Sequence, residues 1–132
     1  MTQEDKELLI KDLCARLPYG VKCENYNHID GRNVFKVTDI RDNGYICGTV
    51  NNHYCWAVFD PLELKPYLFP LSSMTEEQKM FLKQQNWCIA ISTSGTVETT
   101  IEGIDWLNKN HIDYRGLIEK GLAIDATGLD VY

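Results

Sequence analysis

Leu9, Leu13 and Leu17 recur every fourth position behind a capping hydroxyl, Thr2, and two acids, Glu4 and Asp5. This spacing predicts an amphipathic N-terminal helix that Pro18 stops, with Ile10 and Cys14 widening its apolar stripe. After Tyr19-Gly20 the period falls to two. Val21 to Glu24 predicts a short strand, and Val34 to Arg41, Tyr45 to Val50 and His53 to Phe59 predict three longer ones. Asn43-Gly44 and Asn51-Asn52 suit two-residue hairpin loops, because their central residues tolerate positive φ. The three longer strands then form an antiparallel meander.

Two such loops fix a register. Ile40 faces Cys47, which faces Trp56, and Thr38 faces Thr49, which faces Tyr54. One face carries Val34, Ile40, Tyr45, Cys47, Tyr54, Trp56 and Val58; the other carries Phe35, Val37, Ile46, Val50, Cys55, Ala57 and Phe59. Both are apolar enough to need cover. The expected fold class is therefore α+β: an antiparallel meander or small curled, barrel-like sheet packed with the N-terminal helix and short C-terminal helices.

Further along, Asp60-Pro61 breaks the third strand of the meander, and Pro66 and Pro70 predict an edge strand or extended connection over Leu62 to Leu71. Thr75 and Gln78 stand at capping-box spacing and predict a helix to about Gln85. Trp87 to Ile91 and Thr96 to Thr99, separated by Ser94-Gly95, predict a second hairpin. Thr99 and Glu102 predict a helix cap for a segment ending near Asn108. Asp113 then caps a short helix holding Tyr114, Leu117 and Ile118, with Gly121 as its stop. No repeat or linker divides the chain, so residues 1–132 are read as one domain.

Composition narrows the function classes. In 132 residues, 44% hydrophobic, no apolar run approaches the roughly twenty positions of a membrane span. The charged start from Met1 to Lys6 does not resemble a secretory signal, so a cytoplasmic location is expected. Five cysteines without a CxxC pair are then expected to stay reduced and serve as small apolar residues. A net charge of −6, with Lys and Arg scattered singly, disfavours nucleic acid as a partner.

Four groups of residues carry candidate chemistry. Cys47, His53 and Cys55 are donors that suit zinc, but the expected register splits them between two faces, so neither a metal nor any other cofactor is assigned. His111, Asp113, Tyr114 and Arg115 bring an imidazole, a carboxylate, a phenol and a guanidinium within five positions. Their simpler reading is structural: Asp113 caps, Tyr114 packs and Arg115 pairs with an acid. Tyr45, Tyr54 and Trp56, with Thr38 and Thr49 between them, offer stacking rings and hydroxyls to a ligand or partner if that face is open, and core if a helix covers it. The glycines show turn spacing without a phosphate-loop pattern.

Three segments, Asp12 to Val21, Leu64 to Glu77 and Asp105 to Ala123, resemble signatures of a small uncharacterised family. It recurs in gut Bacteroidales genomes and in their phages and mobile elements. The likeness covers about a third of the chain. Since that family has no assigned activity, the resemblance implies a bacterial or phage cytoplasmic setting, an accessory role, and no catalytic residue. The expected function is thus a non-enzymatic protein that binds a host or phage protein. A small-ligand, nucleotide-like binder ranks second and a small enzyme using His111 or Asp113 third; the pattern leaves the oligomeric state open.

Overall fold

The computed structural model describes residues 2–27, 31–41, 46–50, 53–59, 64–87, 90–91 and 97–132, with side chains for all of these except 25–27, 31–33, 50, 53–59 and 90–91. It is an α+β fold. Helix α1 (Gln3–Arg16) precedes strands β1 (Lys22–Asn27), β2 (Gly31–Ile40), β3 (Ile46–Val50), β4 (His53–Phe59) and β5 (Leu64–Pro70). Helix α2 (Glu76–Gln84), strands β6 (Ala90–Ile91) and β7 (Val97–Glu98), helix α3 (Ile101–Lys109) and two short strands, β8 (Ile112–Asp113) and β9 (Ile124–Asp125), complete it. Among the described residues seven strands form one mixed sheet, β4-β3-β2-β1-β5, with β8 and β9 both on β5. The sheet stays open rather than closing into a barrel.

Helix α1 begins where the sequence indicates. The Thr2 hydroxyl accepts from the Asp5 N–H at 3.1 Å, and the Asp5 carboxylate accepts from the Thr2 N–H, so two otherwise orphaned donors are satisfied. Its inward stripe is Leu9, Asp12, Leu13 and Arg16, all fully buried. Leu9 and Leu13 meet Val21, Cys23, Phe35, Val37, Ile46, Leu64 and Leu68 of the sheet side. Leu117, Leu122 and Ala123 close the same cluster. Each leucine so buried contributes roughly 1.5–3 kcal/mol. Cys14, expected on this stripe, is exposed instead, and Ile10 is half-buried.

The meander forms, but its first register is not the expected one. Ile40 stands opposite Ile46 rather than Cys47, and Lys36 rather than Thr38 stands opposite Thr49. The described part of the ladder ends at the Ile40–Ile46 pair, and its register shifts between Val37 and Asp39. That bulge switches the inward alternation from odd to even positions: Phe35 and Val37 are buried, Thr38 and Asp39 are exposed, and Ile40 returns to the core. Asn43-Gly44 itself lies outside the described residues. The next connection keeps the expected two-residue length, pairing Val50 with His53 and Thr49 with Tyr54. A second irregularity between Ile46 and Gly48 removes the expected rung between Cys47 and Trp56. Gly48 is required here, because a Cβ would overlap the Lys36 carbonyl and the Phe35 ring.

The proline-containing segment is not at an edge. β5 pairs with β1 through Leu64, Lys65 and Pro66, and then with β8 and β9 in parallel. The Phe69 N–H donates to the His111 carbonyl at 2.8 Å, whereas the Leu68 carbonyl accepts from the Ala126 N–H at 2.8 Å, so β8 and β9 flank opposite sides. Alternation directs the nitrogens of Pro66 and Pro70 to the β9 side, outside the two positions, Tyr67 and Leu68, that pair there. Proline is tolerated because its missing donor faces a gap in the ladder.

Two later expectations shift by small amounts. Thr100, not Thr99, caps α3, its hydroxyl accepting from the Gly103 N–H at 3.1 Å, while Thr99 packs against Gly103. The short helix expected after Asp113 is a set of hydrogen-bonded turns, with Gly121 at φ +74° where the stop was placed. The β6–β7 pair forms a separate two-stranded hairpin, and its connecting residues lie outside the described ones.

Candidate functional site

The closing segment assembles a polar core around α1. Asp12 is its centre: one oxygen accepts from Arg16 Nε at 2.8 Å, and the other from Arg16 Nη2 and Arg115 Nε, both at 3.2 Å. Arg16 also donates to the Ile112 carbonyl at 2.6 Å, which joins α1 to β8. The Tyr114 ring lies beneath both guanidiniums, and its hydroxyl donates to Asn108 Oδ1 at 2.8 Å. One carboxylate thus answers two guanidiniums; Arg115 Nη2 donates to the Tyr114 hydroxyl at 3.1 Å, whereas Arg16 Nη1 has no hydrogen-bond partner among the described residues. Such a buried set tolerates no loss of its acid.

Asp113 is equally committed. Its two oxygens accept from the N–H groups of Leu117 and Ile118, each at 3.0 Å, which holds the following turn. His111 leaves this group altogether. It stands after α3 at φ +59°, a left-handed conformation unusual for a side chain of its size, and its ring stacks on Tyr132 at 3.7 Å and 12°. Burial, with Arg16 and Lys22 nearby, lowers its pKa to about 4, so the ring is neutral at pH 7. Of the four sequence neighbours, Tyr114 and Arg115 stay together in the Asp12 group, whereas the side chains of His111 and Asp113 are held by other partners.

Tyr132 joins β1 and β5 where their ladder ends. The register from Glu24–Lys65 and Cys23–Pro66 would next set Lys22 against Tyr67. At that rung the Tyr132 hydroxyl accepts from the Lys22 N–H at 2.9 Å and donates to the Tyr67 carbonyl at 2.8 Å. Lys22 Nζ returns to the Val131 carbonyl at 2.6 Å. Burial pushes the phenol pKa up, keeping the proton that this bridge uses. Burial likewise raises the Cys23 thiol, which makes it inert as a nucleophile.

A cavity of about 880 Å³ opens between α2 and the turn after β8. Pro70, Leu71, Met74, Leu82, Trp87 and Ile118 supply apolar walls; Lys79 and Lys83 stand one turn apart on α2, and Asp113 and Glu119 stand across from that helix. Tyr114 also lines it. On a different side of α2, Met80 is 59% and Phe81 40% exposed. The Phe81 ring meets Trp87 edge-on at 5.9 Å and stacks with Trp106 at 6.3 Å, so the exposed phenylalanine rests on an aromatic base.

Of the aromatic sheet candidates, Tyr45 and the side chains of Tyr54 and Trp56 lie outside the described residues. Thr38 is exposed and donates weakly to the Cys47 carbonyl at 3.4 Å; Thr49 is half-buried. The side chains of His53 and Cys55 also lie outside, and among the described residues no three His, Cys, Asp or Glu side chains gather closely enough to hold a metal ion. No described helix is long and apolar enough to cross a membrane.

Sequence reasoning missed Asp12, Arg16, Lys79, Met80, Phe81, Lys83 and Trp87. A signal existed for some of them. Asp12 and Arg16 occupy the Leu9–Leu13 stripe at four-residue spacing, where a solvated pair would be out of place. No family model, curated protein or solved structure matches the chain.

Proposed function

We propose that this chain is a non-enzymatic accessory protein that binds another protein through the outward side of α2. The carrying observation is the exposure of Met80 and Phe81 side by side on α2, with Phe81 held on the Trp87 and Trp106 rings. Methionine and aromatic side chains are enriched at interfaces, and a ring supported from below loses little freedom when a partner covers it. The structural commitments of Asp12, Asp113, Tyr114 and Arg115 support a binding rather than a reacting role. The resemblance of Asp12 to Val21, Leu64 to Glu77 and Asp105 to Ala123 supports a host or phage protein as the partner, met in bacterial cytoplasm.

The test is capture from a bacterial lysate by the intact chain, beside Met80→Glu and the control Lys65→Glu on the exposed Lys65. A stoichiometric partner held by the parent and control, and lost with Met80→Glu, is the expected result. Capture that ignores Met80→Glu, or no partner in repeated trials, overturns the proposal. A concentration-dependent dimer abolished by Met80→Glu assigns the face to self-association and overturns it as well.

A further inference from the structure

Independently of that interface, we propose that the cavity between α2 and the turn after β8 binds an amphipathic monoanion, an apolar body of fatty-acid or aromatic-carboxylate size ending in one carboxylate or sulfonate. The volume, about 880 Å³, falls within the range of small-ligand pockets, and the described lining is mostly apolar, with Ser72 and Tyr114 as neutral polar groups and charge at two places. Those two places are of opposite sign. Lys79 and Lys83 project from one side of α2, and among the described residues Lys79 pairs with Glu76 at 3.4 Å across an exposed pair. Glu119 and Asp113 stand opposite, and the Asp113 oxygens are already held by two backbone N–H groups.

This arrangement orients a guest. A carboxylate is attracted to the lysine side and repelled from the acidic side, while the apolar body lies along Leu71, Leu82, Trp87 and Ile118. A polyphosphate would set its further charges against Glu119 and Asp113, so a nucleotide is the poorer fit. A neutral hydrocarbon would leave the lysines unused.

The experiment uses the intact chain with 8-anilinonaphthalene-1-sulfonate as fluorescent probe, decanoate as competitor and decanol as its neutral counterpart. Circular dichroism checks that each variant keeps its fold. One saturable site is expected, with decanoate displacing the probe at least about tenfold more effectively than decanol. The pair Lys79→Glu and Lys83→Glu should weaken decanoate about tenfold or more, and Ser72→Trp, on the cavity lining, should remove probe binding. Met80→Glu should leave all of this unchanged, which separates failure of the cavity from failure of the protein interface. Absence of saturable binding, equal displacement by decanol, or indifference to the charge reversals overturns the proposal.

Discussion

Helices α1 and α2 begin alike and end in opposite situations. Each opens on a threonine capping box, with Thr2 and Asp5 in one and Thr75 and Gln78 in the other. Yet α1 buries four residues against the sheet, including an ion pair, whereas among the residues of α2 only Leu82 is buried. Capping energetics set where a helix starts; what the helix meets sets whether it is scaffold or surface. The α1 side spends its apolar and charged groups on the fold, and α2 keeps Met80, Phe81, Lys79 and Lys83 available.

Substitutions on the two sides should therefore differ in kind. The largest effect is expected from Asp12→Ala, which strands two guanidiniums, one fully buried, and should cost about 3–5 kcal/mol in urea unfolding. An unchanged midpoint would show that the Asp12 network is not what joins α1 to β8. Next, Tyr132→Phe deletes the hydroxyl between β1 and β5 and removes its bonds to the Lys22 N–H and Tyr67 carbonyl at a partly exposed site, at about 0.5–1.5 kcal/mol.

The His111 prediction is one of pH. Its folded pKa, about 4, lies below the ordinary 6.5, so between these values the unfolded chain binds more protons and stability rises with pH. The contribution is complete above about pH 6.5, declines as pH falls toward 4 and is constant below. Thermal midpoints should follow that course beyond the general acid response, and His111→Asn, which suits the left-handed backbone and does not titrate here, should flatten it. A parallel decline in both proteins would remove His111 as the cause. The smallest stability change, within about 0.5 kcal/mol, is expected for Met80→Glu, measured in the same urea series. A large loss there would mean that the outward side of α2 is structural, and the contrast with α1 would disappear.

Much of the local structure was legible before any coordinates. The Thr2 and Thr75 caps, the span His53–Phe59, the length of the Asn51-Asn52 connection and the stop at Gly121 all follow from side-chain chemistry within a few residues. The misses have a common cause. The register around Thr38 depends on a bulge that two strands make together, and the interior place of Pro66 and Pro70 depends on where β8 and β9 stop pairing. For the group from His111 to Arg115 the structural reading holds, with Asp113 accepting from the next turn and Arg115 pairing with Asp12 over the Tyr114 ring, while positive φ at His111 and its stacking on Tyr132 had no local signal.

The sequence by itself determined the α+β class, the starts of α1 and α2 and the alternation that puts Phe35 and Val37 on one face, because caps and periodicity act over one or two turns of backbone. Only the tertiary structure decided that Asp12 would answer Arg115 across 103 positions, that Tyr132 would stand between Lys22 and Tyr67, and that α2 would face a cavity. Those outcomes depend on which surfaces meet once the chain has closed on itself, and no local propensity encodes that meeting.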